Sequence, residues 1–265
     1  MAGIQKVKNV IAVSSCKGGV GKSTVSVNLA CALQQLGLKI GLFDADLYGP
    51  SLPTMISPES AHVYADEKDP QKIAPIEFAG LKCMSYGFAA QNKTAIMRGP
   101  MASNLVAQLI GQTNWDDLDY LVIDFPPGTG DIQLTLCQEL RLKAAVIVTT
   151  PQRLAYVDVV KGIEMFDSLK VPTIAVVENM AYYQCSKCDE KHRIFGAGFT
   201  QQLIDSFGIK NSFEVPIMQE ISQMSDSGTP FVLTLPESVP IVQTYKEIAQ
   251  KVDQEVSNLD KNGAA

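Results

Sequence analysis

The segment Cys16-Lys17-Gly18-Gly19-Val20-Gly21-Lys22-Ser23-Thr24 constrains this chain more than any other. It follows an apolar run, Val10-Ile11-Ala12-Val13-Ser14, and precedes Val25, Leu29, Leu33 and Leu36 at helical spacing, with Gly37 as a stop. Strand, glycine-rich loop and helix in that order make a phosphate-binding loop. The glycines let successive backbone N–H groups turn toward anionic oxygens at a helix N-terminus. On this reading Gly18, Gly19, Val20, Gly21, Lys22, Ser23 and Thr24 bind ATP, Lys22 reaches the β and γ phosphates, and the Ser23 hydroxyl ligates Mg²⁺.

Further apolar runs at Lys39–Asp44, Leu81–Ser85, Tyr120–Asp124, Ala145–Thr149 and Thr173–Val177 alternate with helical patterns. That alternation predicts an α/β fold, a mostly parallel sheet flanked by helices, in a single domain over residues 1–265. Ligands of open α/β sheets bind beyond the carboxyl ends of the strands, so Asp44, Asp46, Asp124 and Asn179 are expected around the loop. Because Mg²⁺ keeps most of its waters, Asp44 and Asp124 would support it through water. Asn179, at a strand end, is placed to hydrogen-bond a base. Residues 57–76 read as an irregular excursion. Val239, Val242, Ile248, Val252 and Val256 fit a packed amphipathic helix, with a frayed tail from Asn258 to Ala265.

With 265 residues, 46% of them hydrophobic, the chain is long enough to bury a substantial core. Its formal net charge of -6 gives no general attraction to nucleic acid or anionic lipid. No run approaches the roughly 18 apolar residues that span a bilayer, and the N-terminus lacks the apolar centre of a secretory signal. The expectation is a soluble, intracellular protein of the cytoplasm or an organelle matrix such as the plastid stroma, with neither nucleic-acid nor membrane partners.

Of six cysteines, Cys16, Cys31, Cys83 and Cys137 stand alone in core or motif segments, and only Cys185 and Cys188 form a close pair. Two thiolates supply one edge of a metal centre. Four chemistries remain open at this point: a [4Fe-4S] cluster bridging two chains, a zinc site that recruits His192, a redox dithiol, or a pair with no cofactor.

The loop also departs from the general phosphate-loop pattern: Cys16 stands where that pattern has glycine, and a second lysine, Lys17, follows it. It resembles the deviant Walker A loop, K-G-G-x-G-K-[ST], of the MinD, ParA and nitrogenase iron protein superfamily. The resemblance implies a nucleotide-sandwich homodimer in which Lys17 reaches the neighbour's nucleotide. It also implies a switch I at Asp44-Ala45-Asp46, with Asp46 orienting the attacking water, a Walker B and switch II element at Asp124–Asp131, and a base contact at Pro216. Lys17, Lys22 and Asp46 are then the catalytic set.

From Asn9 to about Ala249 the chain resembles the Mrp/Nbp35 family of iron-sulfur cluster carriers, most closely its plastid branch. The likeness is carried by Phe43-Asp44-Ala45-Asp46-Leu47-Tyr48-Gly49-Pro50-Ser51, Met97-Arg98-Gly99-Pro100, Asp124-Phe125-Pro126-Pro127-Gly128-Thr129-Gly130-Asp131 and Val177-Glu178-Asn179-Met180, and for the plastid branch by Ser14-Ser15-Cys16-Lys17. It implies a slow ATPase that holds a labile [4Fe-4S] cluster on Cys185 and Cys188 of a homodimer, takes it from upstream donors and hands it to apoproteins. Two other readings stand beside it. One is a MinD- or ParA-type positioning ATPase, against which the C-terminal helix lacks a basic anchor. The other is a zinc-stabilised nucleotide-binding scaffold. Cys16 is expected to serve the loop backbone, with a cluster or redox role as the alternative.

Overall fold

The computed structural model describes residues 3–90, 99–128 and 130–263. In chain order its elements are β1 (Val7–Ser14), α1 (Lys22–Gln35), β2 (Ile40–Asp44), α2 (Leu52–Met55), β3 (Ile76–Phe78), β4 (Leu81–Ser85), α3 (Tyr86–Ala89), α4 (Gly99–Gln112), β5 (Leu118–Asp124), α5 (Asp131–Glu139), β6 (Leu142–Thr149) and α6 (Arg153–Ser168). There follow β7 (Thr173–Glu178), β8 (Tyr183–Gln184), β9 (Lys191–His192), α7 (Phe199–Phe207), β10 (Ser212–Glu214), α8 (Gln219–Asp226), α9 (Phe231–Thr234) and α10 (Pro240–Gly263). Among the described residues an eight-stranded sheet runs β10-β7-β6-β1-β5-β2-β4-β3, parallel except where β3 meets β4. β8 and β9 form a separate hairpin.

Side chains alternate across a strand, and a sheet covered on both faces needs apolar residues on both. In β1, Ile11 and Val13 enter the core under α1, α9 and α10, while Val10 and Ala12 enter the core under α4, α6 and α7. β6 divides likewise, with Ala144, Val146 and Val148 on the first face and Ala145 and Ile147 on the second. α1 lies against the sheet under α9 and α10, so its buried positions run continuously from Val25 to Leu33 instead of forming one stripe. It ends as the sequence predicts, at Gly37, whose φ of 86° suits glycine.

β1 and β5 start earlier than the apolar runs suggest, because Lys8 and Asn9 in β1 and Asp119 in β5 separate the apolar first residues, Val7 and Leu118, from the continuous runs. α10 continues to Gly263, past the point where fraying was expected. Leu259 still packs against the core and Lys143 pairs with Asp260, which hold that last stretch to the body. The excursion is irregular from 57 to 75, as expected, with Ile76 already opening β3, and is pinned by isolated bridges from Ile73 to Ala65 and Thr113. Met97 and Arg98 of the Met97–Pro100 motif, and Thr129, lie outside the described residues.

Register places the chemistry. Asp44 of β2 stands directly opposite Asp124 of β5, and Val13, next to the loop, is opposite Asp124 on the other side. Glu178 of β7 is flanked by Thr149 of β6 and Glu214 of β10.

Candidate functional site

The loop from Ser15 to Gly21 turns out of β1 into α1 at the carboxyl edge of the sheet. Gly19 and Gly21 have φ of 78° and 85°, a region that side chains disfavour. Gly21 is needed twice over: a Cβ there would land on Asn179 Nδ2. That amide donates to Val20 O at 2.8 Å, so Asn179 braces the loop backbone from β7, and the backbone N–H of Asn179 is itself held by Thr149 O.

Lys22 is buried and its Nζ bonds Asp124 Oδ1 at 2.5 Å, with Ser23 Oγ at 3.4 Å. Ser26, one turn along α1, also donates to Asp124 Oδ1 at 2.8 Å. The Ser51 hydroxyl donates to Ser23 Oγ at 3.0 Å. Asp44 accepts backbone N–H bonds from Asp46, Ser51 and Leu52 and a hydroxyl bond from Ser85, all between 3.0 and 3.1 Å. These bonds make Asp44 the clamp of the 44–52 loop. Burial first, and the charge of Asp124 second, push its carboxyl up to about 7 against the pull of those donors and of Lys22.

Asp46 is less buried, accepts from Gly49 N at 3.1 Å, and lines a cavity of about 450 Å³ with Lys17, Lys22, Ser23, Thr24 and Ser51. Lys17 is half-buried, its carbonyl held by Ser15 Oγ at 2.8 Å. A second, more apolar cavity of about 430 Å³ shares Gly21, Thr24, Ser225 and Asp226 with the first and is walled by Asn179, Phe195, Pro216 and Ile217. A polar half and an apolar half joined across Thr24 suit a triphosphate and a base. The hard oxygen donors of Ser23, Ser51, Asp44 and Asp124 suit Mg²⁺. Pro216 and Asn179 thus both reach the apolar half, although the Asn179 amino group is engaged by the loop.

Sequence reasoning passed over Ser26, Ser51 and Ser85, which organise the carboxylates, and Phe195 and Ile217, which wall the apolar half. Ser51 lay inside a quoted motif; Phe195 lies in a polar stretch that gives no pattern at all. Gln133 was also missed. Its side chain accepts from Gly130 N at 2.6 Å and donates to Pro126 O and Pro127 O at 2.9 and 2.8 Å, pinning the turn after Asp124.

Cys16 has φ of 51° and a buried thiol seated over Gly162 of α6, where a Cβ would strike its Sγ. Burial raises that thiol to about 11. Cys31 and Cys137 are likewise buried and raised to about 12, and burial also raises Cys83. All four are poor ligands. Cys185 and Cys188 differ. They occupy the turn of the β8–β9 hairpin, Cys188 is exposed, and Asp189 supplies the left-handed residue at φ 57°. Backbone N–H groups of Lys187 and Cys188, then the Cys188 side chain, bond to the Cys185 sulfur and lower its thiol below the usual range. Amide donors aimed at sulfur favour the thiolate, the form that binds metal.

This hairpin is fastened to the apolar cavity. Ile217 N donates to Tyr182 O at 2.7 Å, Ile217 bridges to Tyr183, and Arg193 pairs with Glu214 of β10 at 2.8 Å. Phe195 stands three residues beyond His192. One short stretch of chain therefore carries both the thiol pair and a wall of the base cavity.

Comparison with known proteins identifies the family and the fold. Residues 6–253 match the family of NUBPL iron-transfer P-loop NTPases. The chain is 51% identical over 259 residues to the chloroplastic Fe-S cluster assembly factor HCF101 of Arabidopsis thaliana, covering 97% of this chain and 47% of that protein. It is 48% identical over 254 residues to the iron-sulfur cluster carrier protein of Haemophilus influenzae, covering 96% of this chain and 68% of that protein. It spans about half the length of the plant relatives it matches. Among solved structures, the nucleotide-binding protein of Archaeoglobus fulgidus, in complex with ADP and with Co, aligns at a TM-score of 0.76 and 36% identity over 86% of this chain and 89% of that one. MinD of Pyrococcus furiosus shares the fold at a TM-score of 0.64 and 18% identity, over 94% of this chain and 99% of that one. Among the described residues no helix is long and apolar enough to cross a membrane.

Proposed function

Because this chain belongs to the NUBPL iron-transfer P-loop NTPase family, we propose that it is an ATP-dependent carrier that holds a [4Fe-4S] cluster between two copies of itself and passes it to apoproteins. The observation that carries this reading is the thiol pair, Cys185 half-buried and Cys188 exposed, on a hairpin tied to the apolar cavity, in a chain whose other four cysteines are buried.

The loop amides and Lys22 bind the phosphates, and Ser23 and Ser51, backed by Asp44 and Asp124, would hold Mg²⁺, which would neutralise phosphate charge. Lys22 then exchanges its bond to Asp124 for phosphate oxygens, which frees the Asp124 carboxylate. Asp46 faces the phosphate cavity and orients the attacking water, and Lys17 reaches the partner's nucleotide. The base lies against Pro216 and Ile217. Filling that cavity fixes Phe195 and Ile217, and through them the hairpin, so nucleotide state sets how firmly the cargo is held. Coupling of this kind needs ATP to favour one hairpin geometry over another. Two chains bring four thiolates, the number a cubane cluster takes. Upstream donors load the pair and apoproteins empty it.

Anaerobic reconstitution with iron and sulfide should give a broad visible absorption band and about four iron per dimer. Cys185→Ser and Cys188→Ser should each abolish it. A band that survives both substitutions sinks the assignment of the ligands.

A further inference from the structure

β9 and the turn before it place Cys188, Glu190 and His192 two residues apart, and a strand's period of two turns such positions to one face. The sulfur, a carboxylate oxygen and an imidazole nitrogen all lie within 4.8 Å of one another, and all three side chains are exposed. Metal bonds of about 2.0–2.3 Å to such donors need ligand atoms roughly 3.5 Å apart, so small rotations about exposed side-chain bonds close the set. The backbone beneath is fixed: Tyr183 pairs with His192, Cys185 N donates to Glu190 O at 3.0 Å, and Lys191 points away, its Nζ 4.3 Å from the Tyr182 ring centre.

We propose that Cys188, Glu190 and His192 form a site within one chain for a single borderline divalent cation of the zinc class. One thiolate, one imidazole and one carboxylate are the mixed donors such an ion accepts, and the two negative charges match its own. On binding, the Cys188 thiol releases its proton to solvent. Cys185, hydrogen-bonded to Cys188, stands beside the set as a further sulfur donor. Cys188 belongs to both arrangements, so a chain holding a single ion on it cannot offer it to a cluster. The site itself is independent of the carrier reading; only this exclusion rests on it.

Co²⁺ titrated into the full, reduced chain, kept free of iron and sulfide, tests the site. The expected result is about one cobalt per chain, with thiolate-to-cobalt absorption that Cys188→Ser removes and Zn²⁺ displaces. His192→Ala and Glu190→Gln should each weaken cobalt binding at least about tenfold. Unchanged affinity in both variants overturns the site. In a second arm, zinc-loaded wild type should take up less cluster than zinc-free protein, while His192→Ala takes up the full amount with or without zinc. Equal uptake by zinc-loaded and zinc-free wild type overturns the exclusion. A wild type that assembles no cluster at all counts against the carrier reading, and the cobalt arm then decides the site alone.

Discussion

At the scale of single residues, Cys16 shows how a motif position carries its physics. The general loop has glycine there because the backbone is left-handed, and Cys16 adopts that conformation at φ 51° with its thiol packed over Gly162. Gly162→Ala should therefore destabilise the protein. Overpacking costs about 1–3 kcal/mol, more than the roughly 0.5–1 kcal/mol that alanine gains over glycine inside a helix. Cys16→Gly in the same background should restore most of the loss, and urea unfolding of the four combinations measures the coupling. Additive losses would mean that the Cys16 thiol does not limit the space at Gly162. The carboxylate pair was legible from strand ends alone, since register sets Asp44 against Asp124. How Asp44 would be held was not, because the clamping donors of Ser51, Leu52 and Ser85 come from chain segments that leave no periodic trace.

Asp44 also gives a pH signature. Its carboxyl is raised from 3.8 to about 7, so between those values the folded chain holds a proton that the unfolded chain has released. Stability from this group is complete below the lower value and is lost as pH rises through the upper one. Measured without Mg²⁺ or nucleotide, wild type should lose stability relative to Asp44→Asn as pH climbs from about 4 to about 7. A difference that stays flat across that window means the charge of Asp44 is already balanced in the folded protein.

At the scale of elements, the long strands were readable because burial on both faces leaves unbroken apolar runs, as in β1, β2, β5 and β6. β3, β10 and the β8–β9 pair were not. They are two or three residues long and largely exposed, and they exist through pairing with neighbours, not through their own composition. Yet the hairpin is the element on which the proposed carriage turns. Phe195→Ala removes an apolar wall of the base cavity, and losing that contact should weaken ATP binding by about tenfold, near 1.4 kcal/mol. The same change should leave iron content per dimer unaltered while abolishing the effect of ATP on cluster release to a chelator. An ATP effect of wild-type size in this variant means the signal does not travel through the base cavity.

At the scale of the whole molecule, the proposed carrier needs two chains to meet with their phosphate loops and hairpins facing. Each carries a formal net charge of -6, and ATP adds more, so association works against like-charge repulsion. Something positive has to sit at the contact. Lys22 is committed within its own chain, where it is buried against Asp124, whereas Lys17 is half-buried at the rim of the phosphate cavity beside exposed Gly18 and Gly19. Lys17→Ala should accordingly retain ATP but fail to shift from 28.7 kDa to twice that mass when ATP and Mg²⁺ are added, as read by light scattering. Lys22→Ala should lose both, because without its ammonium the phosphates are bound by loop amides alone. The dimer should also strengthen as salt is raised toward 0.15 M, where screening over about 8 Å softens repulsion between the bodies and leaves the enclosed Lys17–phosphate contact largely intact. Lys17→Ala dimers that form as readily as wild type would place the neighbour elsewhere and leave Lys17 to its own chain's nucleotide.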